Sequence, residues 1–181
     1  MDLTRFKIKL SKIKGVCFIY TDRFSDKRGT IKEVFRYNSL VEKKSFNSDF
    51  VVSQITHTRT HYRGLRGLHY QEWARIIYPV NGSVFNVLVD TRKKSKTFGK
   101  VETVVINDKN RIAIYVPADV ANGYCVISKE PVDYFYILDD VYDGRFSKGI
   151  FWNDPYLKIS WPIKNPIISA IDQNNKLFKD L

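Results

Sequence analysis

A succession of short apolar runs, each of strand length and rich in Val, Ile, Phe and Tyr, leaves this chain little room for anything but β-structure. The runs are VCFIY (16–20), IKEVF (31–35), FVVSQITHT (50–58), ARIIYPV (74–80), SVFNVLVD (83–90), KVETVVIN (100–107), RIAIYVP (111–117), GYCVIS (123–128) and VDYFYIL (132–138). β-Branched and aromatic side chains suit a pleated, half-buried surface. TIKEVF and KVETVV alternate with period two, the mark of a strand with one buried face. Asn-Gly, Lys-Asn and Ser-Lys-Glu-Pro steps punctuate the runs. Asn81-Gly82 reads as a tight hairpin turn, Asp90 ends the strand that follows, and RKKSKTFG (92–99) is a solvated loop. Helical pattern is sparse: NSLVEKKS (38–45), with Asn38 as N-cap, and a second start at Ser169. Many short strands and few short helices make an all-β chain, an antiparallel sandwich or barrel of jelly-roll type. Without internal repeat or linker, residues 1–181 read as one domain.

With 181 residues, 44% of them hydrophobic, the chain can bury a real core. No apolar run is long enough to span a membrane, and the opening MDLTRFKIKLSKIKG has neither a secretory apolar stretch nor a cleavage site. Cys17 and Cys125 stand alone in apolar runs and read as buried free thiols of a cytoplasmic protein. The net charge of +11 raises the question of nucleic acid. Its lysines and arginines are spread in short groups, however, without a zinc-finger, RNP or helix-turn-helix pattern. Such a surface draws in an anionic small molecule through its summed field, and a phosphate-bearing substrate fits it.

Three histidines are available for chemistry. His57 and His61 are four apart in a strand-then-loop context with no carboxylate partner following, so they read as solvated or hydrogen-bonded, and no catalytic metal is expected. His69 lies in RGLRGLHYQEW (63–73), three residues after Arg66. On a regular strand two side chains three apart leave opposite faces. A break at Gly64 or Gly67 would bring them together as a base beside a fixed positive charge.

GLRGLHYQ (64–71) resembles the strongest motif of the dTDP-4-dehydrorhamnose 3,5-epimerase family, cupin-type jelly rolls that act on sugar nucleotides. FSDKRGTIKEVF (24–35), VDTRKKSKTFGK (89–100), PADVANGY (117–124), IFWNDPYLKISWP (150–162) and PIISAIDQ (166–173) are similar to further family segments, in the family's order, from about Val16 to Asp172. The resemblance implies a cofactor-independent homodimer whose substrate is a nucleotide-diphospho-4-keto sugar. It implies His69 as the base, Asp172 as the carboxylate that orients it, and Tyr136 as the acid on the opposite face, with Tyr134 as the alternative if the register slips by two. Arg28, Glu33, Gln54 and Arg66 match residues that contact nucleotide or sugar, and Tyr142 matches a tyrosine that packs on the nucleotide.

The sequence departs from the family at the walls of that site. Arg75 stands where the family has a lysine that helps hold the enolate. Asn122 replaces a histidine, and Thr30 and Ile31 replace an aromatic pair. These changes suit a different base or sugar, such as a GDP-linked 4-keto heptose of bacterial capsule or O-antigen synthesis. A 3,4-ketoisomerase of the same fold would carry a His-x-His pair where this chain has His69, Tyr70 and Gln71. A binding homologue without activity would have no need to keep His69, Asp172 and Tyr136 together.

Overall fold

A computed structural model describes residues 6–36, 49–142, 144 and 148–181. Two antiparallel sheets face each other. One has the order β1 (Phe6–Leu10), β2 (Cys17–Thr21), β10 (Ala113–Val116), β7 (Arg75–Pro79), β12 (Val132–Leu138), β5 (Gln54–Thr60). The other runs β13 (Lys148–Gly149), β6 (Leu65–Tyr70), β11 (Val120–Val126), β8 (Val84–Asp90), β9 (Val101–Ile106). From β5 to β13 successive strands alternate between the sheets, as in a jelly roll, except that β8 and β9 pair with each other. A separate hairpin, β3 (Arg23–Asp26) with β4 (Gly29–Lys32), pairs with neither.

Period-two patterning sorts the side chains. On β10, Ile114 and Val116 join Ile77, Leu88, Tyr124 and Tyr134 between the sheets. Ala113 and Tyr115 turn to the other face, beneath Phe50 and against Phe6 and Ile8 of β1. Strand β8 is buried on both faces. Its Val84 and Leu88 enter the central core, while Val87 and Val89 lie under Ile150, Leu157 and Phe178 of the C-terminal segment. Each such aliphatic residue, taken fully from water, contributes about 1.5–3 kcal/mol.

Several local expectations need correction. Asn81-Gly82 is a tight turn, with Gly82 at φ 58°, but not a hairpin. It carries the chain from β7 in one sheet to β8 in the other. Asn-Gly chemistry specifies the reversal; whether the flanking strands pair depends on the whole sandwich. TIKEVF does not form a strand with a buried face. Only Gly29–Lys32 is extended, it pairs with β3 alone, and Ile31 is 73% exposed. In FVVSQITHT the strand begins at Gln54, and Val51 and Val52 are exposed. Strand β1 was hidden in the charged opening, where Phe6 and Ile8 alternate with Lys7 and Lys9. The helix expected at 38–45 lies outside the described residues. The second is present as α1 (Ala170–Gln173), and its N-cap Ser169 accepts from the Asp172 amide. Cys17 and Cys125 are buried free thiols whose pKa burial pushes up to about 11. Among the described residues no helix is long and apolar enough to cross a membrane.

Candidate active site

Strands β5, β6, β7, β11 and β12 and the segment around α1 enclose a cavity of about 820 Å³. Its position depends on an irregularity in β6. Opposite β11, His69 pairs with Asn122 and Arg66 with Tyr124, so three steps on one strand match two on the other. This bulge re-aims the strand, and Arg66 and His69, three apart, both reach the cavity. Gly67 makes it possible: φ is 116°, and a Cβ there would lie 2.7 Å from the Gly123 Cα and 2.9 Å from the Asn122 carbonyl oxygen.

His69 Nε2 lies 2.5 Å from Asp172 Oδ1. The carboxylate is 4% exposed and also accepts from the Gly67 amide at 3.3 Å and from Asn175 Nδ2 at 3.4 Å. Burial pushes the Asp172 carboxyl up. The hydrogen bond and charge of His69, with the Gly67 amide and Ser169 hydroxyl, outweigh it and hold the group below the ordinary carboxylate value. An ionised acceptor at Nε2 fixes that nitrogen as the N–H. Nδ1, without a hydrogen-bond partner among the described residues, is then the basic nitrogen.

Tyr136 lines the same cavity. Burial drives its pKa well above 10, Tyr124 adds to the rise, and Arg75 and Arg66 oppose it. The phenol is therefore protonated at neutral pH and able to donate. Tyr134 shares its strand face but is absent from the cavity wall. It is fully buried, and its hydroxyl donates to Asn86 Oδ1 at 2.8 Å.

Arg75 is 3% exposed. Its Nη2 donates to the carbonyls of Val120 at 2.9 Å and His69 at 3.2 Å, while Nη1 is buried without a partner among the described residues. Desolvation lowers its pKa to about 10, which still leaves it cationic at neutral pH. A buried donor without an acceptor is costly, and here it belongs to a residue of the cavity wall.

Of the other expected residues, Asn122 lines the cavity opposite His69, its Nδ2 3.2 Å from Asn86 Oδ1. Tyr142 stands at the wall edge-on to Trp73, with centroids 6.3 Å apart. Three are placed elsewhere. Gln54 sits behind the wall, donating to Thr56 Oγ1 and accepting from the Tyr142 amide. Arg28 is on the β3–β4 hairpin, 90% exposed and paired with Asp26. Glu33 follows that hairpin and pairs with Arg36 at 2.9 Å. Neither reaches the cavity of its own chain. His57 is on the outer face, 2.9 Å from Asp133, and His61 is exposed at the edge of the cavity, which agrees with the expectation of solvated or hydrogen-bonded side chains. No group of three metal-ligating side chains occurs among the described residues.

Sequence reasoning missed the opposite wall. Thr56, Thr58 and Thr60 of β5 line the cavity at alternate positions, as does Trp73. The signal was the period-two threonines of QITHTRT, overlooked beside its histidine.

An all-β sandwich of cupin type here brings a His–carboxylate pair, a protonated tyrosine and a buried arginine to the wall of one cavity, groups able to take up and give out protons. The family profile described as dTDP-4-dehydrorhamnose 3,5-epimerase matches residues 10–180. The dTDP-4-dehydrorhamnose 3,5-epimerase of Shigella flexneri is 35% identical over 174 residues, covering 94% of each chain. The 4-keto-6-deoxy sugar epimerase of the novobiocin cluster of Streptomyces spheroides superposes with a TM-score of 0.91 at 27% identity, covering 97% of this chain and 89% of that one. The dTDP-6-deoxy-D-glucose-3,5-epimerase of Legionella pneumophila, solved with dTDP-4-keto-L-rhamnose, gives 0.89 at 28% identity, covering 97% and 94%. The chain belongs to the dTDP-4-dehydrorhamnose 3,5-epimerase family.

Proposed function

We propose that this chain is a cofactor-independent epimerase acting at C3, C5 or both of a nucleotide-diphospho-4-keto sugar in surface-polysaccharide synthesis. Both carbons adjoin the ketone, so a proton on either is acidic only if the resulting enolate is stabilised. His69 Nδ1 removes the proton, the C–H electron pair moves to the carbonyl oxygen, and the positive charge of Arg75 in the cavity wall stabilises the oxyanion. Asp172 stabilises the imidazolium. Tyr136 then gives its proton to the same carbon from the opposite face, and the carbonyl re-forms with inverted configuration. The observation that carries this reading is the 2.5 Å His69–Asp172 bond in one cavity with Tyr136 and the buried Arg75.

Arg66 is more open than Arg75. It spends Nε on Thr60 Oγ1 at 2.9 Å and has no other hydrogen bond among the described residues, which suits its two η nitrogens to the substrate's diphosphate. The working form is a homodimer. The unpaired β3–β4 hairpin, with exposed Phe24 and Ile31, and the edge strand β5, with Ile55 61% exposed, supply surface for it. Dimerisation also gives Arg28 and Glu33 a place at the partner's substrate. Free buried thiols fit the cytoplasm, where sugar nucleotides are made.

Arg75 and Asn122 make a GDP-linked 4-keto heptose the substrate to set beside dTDP-4-keto-6-deoxyglucose. Proton NMR in deuterated water tests both. Deuterium entering C3 or C5 of either sugar supports the epimerase and names the position and nucleotide. No exchange with either contradicts it.

A further inference from the structure

Tyr124 belongs to none of the roles above, yet it joins the two walls of the cavity. It lies on β11 between Arg66 of β6 and Asn86 of β8, with its ring crossing the interior. The ring stacks on Tyr134 at 4.1 Å and 4°, and Tyr134 in turn packs on Tyr136 at 5.1 Å. Its hydroxyl ends on the far sheet, 2.9 Å from Thr60 Oγ1 and 3.0 Å from Thr58 Oγ1. Tyr124 is fully buried, so these bonds have no competition from bulk water. Thr60 Oγ1 also accepts from Arg66 Nε at 2.9 Å. A guanidinium can only donate, so the threonine oxygen must face it. The second partner of that hydroxyl, Tyr124, fixes where the oxygen sits.

We propose that the Tyr124 hydroxyl is a positioning group that holds Thr60 and, through it, aims the η nitrogens of Arg66 at the substrate's diphosphate. The inference rests on the diphosphate role given to Arg66 above. Two hydrogen bonds, Tyr124–Thr60 and Thr60–Arg66, convert a side chain on an exposed rim into a pre-set anion clamp, and pre-setting lowers the ordering cost of binding. A clamp on a non-reacting part of the substrate acts equally on ground and transition states, so its loss appears in KM and not in kcat.

The test is calorimetric titration of wild type, Tyr124→Phe, Thr60→Val, Thr60→Ser and the Tyr124→Phe/Thr60→Val pair with dTDP and with GDP, alongside steady-state kinetics. Phe keeps the stacked ring and Val the threonine shape, so the fold is spared. Tyr124→Phe and Thr60→Val should each weaken the nucleoside diphosphate by about fivefold to tenfold and raise KM alike, with kcat within about twofold. Thr60→Ser should bind as wild type, and the double variant should be no worse than either single one. Unchanged affinity in Tyr124→Phe, additive losses in the pair, or a fall in kcat at constant KM would overturn the proposal. Solvent exchange by wild type reports separately on the epimerase reading, so that a chain which binds dTDP or GDP without exchanging protons refutes the chemistry and not the brace.

Discussion

Replacing Asp172 with Asn changes one oxygen of a buried, ionised acceptor into an amide of the same shape, and the cost follows from the geometry. The bond to His69 Nε2 is 2.5 Å long, and the carboxylate is 4% exposed. A hydrogen bond to a charged group contributes about 1.5–3 kcal/mol, and each 1.36 kcal/mol of barrier is about tenfold in rate. The imidazolium exists only after proton removal, so the loss falls on the transition state. The fall in kcat should then be about 10-fold to 150-fold from this bond alone. If the new amide turns its NH2 toward Nε2, it selects the wrong tautomer, and an effect of that kind reaches about 10⁴ in a serine protease. The substrate does not touch Asp172 in this scheme, so KM should move less than about threefold. The assay is initial-rate deuterium incorporation into the 4-keto sugar at saturating substrate. Because the folded-state pKa of Asp172 lies below the ordinary value, any acid limb of the wild-type profile above pH 4 belongs to another group. A variant with kcat within twofold of wild type would refute the orienting role.

Tyr136→Phe should still exchange the first proton with solvent but invert the carbon at least about 100-fold more slowly. NMR of deuterium position against product configuration separates the two steps, and normal inversion would move the acid elsewhere. Gly67→Ala forces a side chain onto φ 116° and a Cβ into the Gly123 backbone. It should lower stability by more than about 2 kcal/mol and displace His69, checked by urea melts. Asp90, held at a pKa of about 2 despite burial by Arg92, Ser95 and Thr97, is a structural group. Its folded-state pKa is depressed, so its contribution, on the order of 2 kcal/mol, is present above pH 4 and disappears as pH falls toward 2. Asp90→Asn should cost that amount at pH 7 and little at pH 2, in denaturant titrations at both values.

Strands declared themselves wherever burial and composition agreed. VDYFYIL became β12 over the same residues, 132–138. Where the pattern was local but the outcome depended on distant partners, it misled. Asn81-Gly82 could not disclose that its two strands join different sheets, and Ile31 alternates as if buried although it is 73% exposed. In the site, the His69–Asp172 pairing came from the resemblance, since 103 residues separate the two. The glycines hinted at the break in β6, and the sandwich supplied the close approach of Gly123 that makes Gly67 necessary. The burial of Arg75 against the Val120 and His69 carbonyls and the Tyr124–Thr60–Arg66 chain had no counterpart in the sequence pattern, because each joins segments that only folding brings into contact.

The central claim is that His69 takes a proton from carbon. It is tested most directly by following deuterium entry at C3 and C5 of one 4-keto sugar nucleotide in wild type and in His69→Asn, with circular dichroism to show that both are folded. Exchange by wild type and none above background in His69→Asn is the predicted result. A folded His69→Asn that exchanges at a rate near wild type would contradict the account.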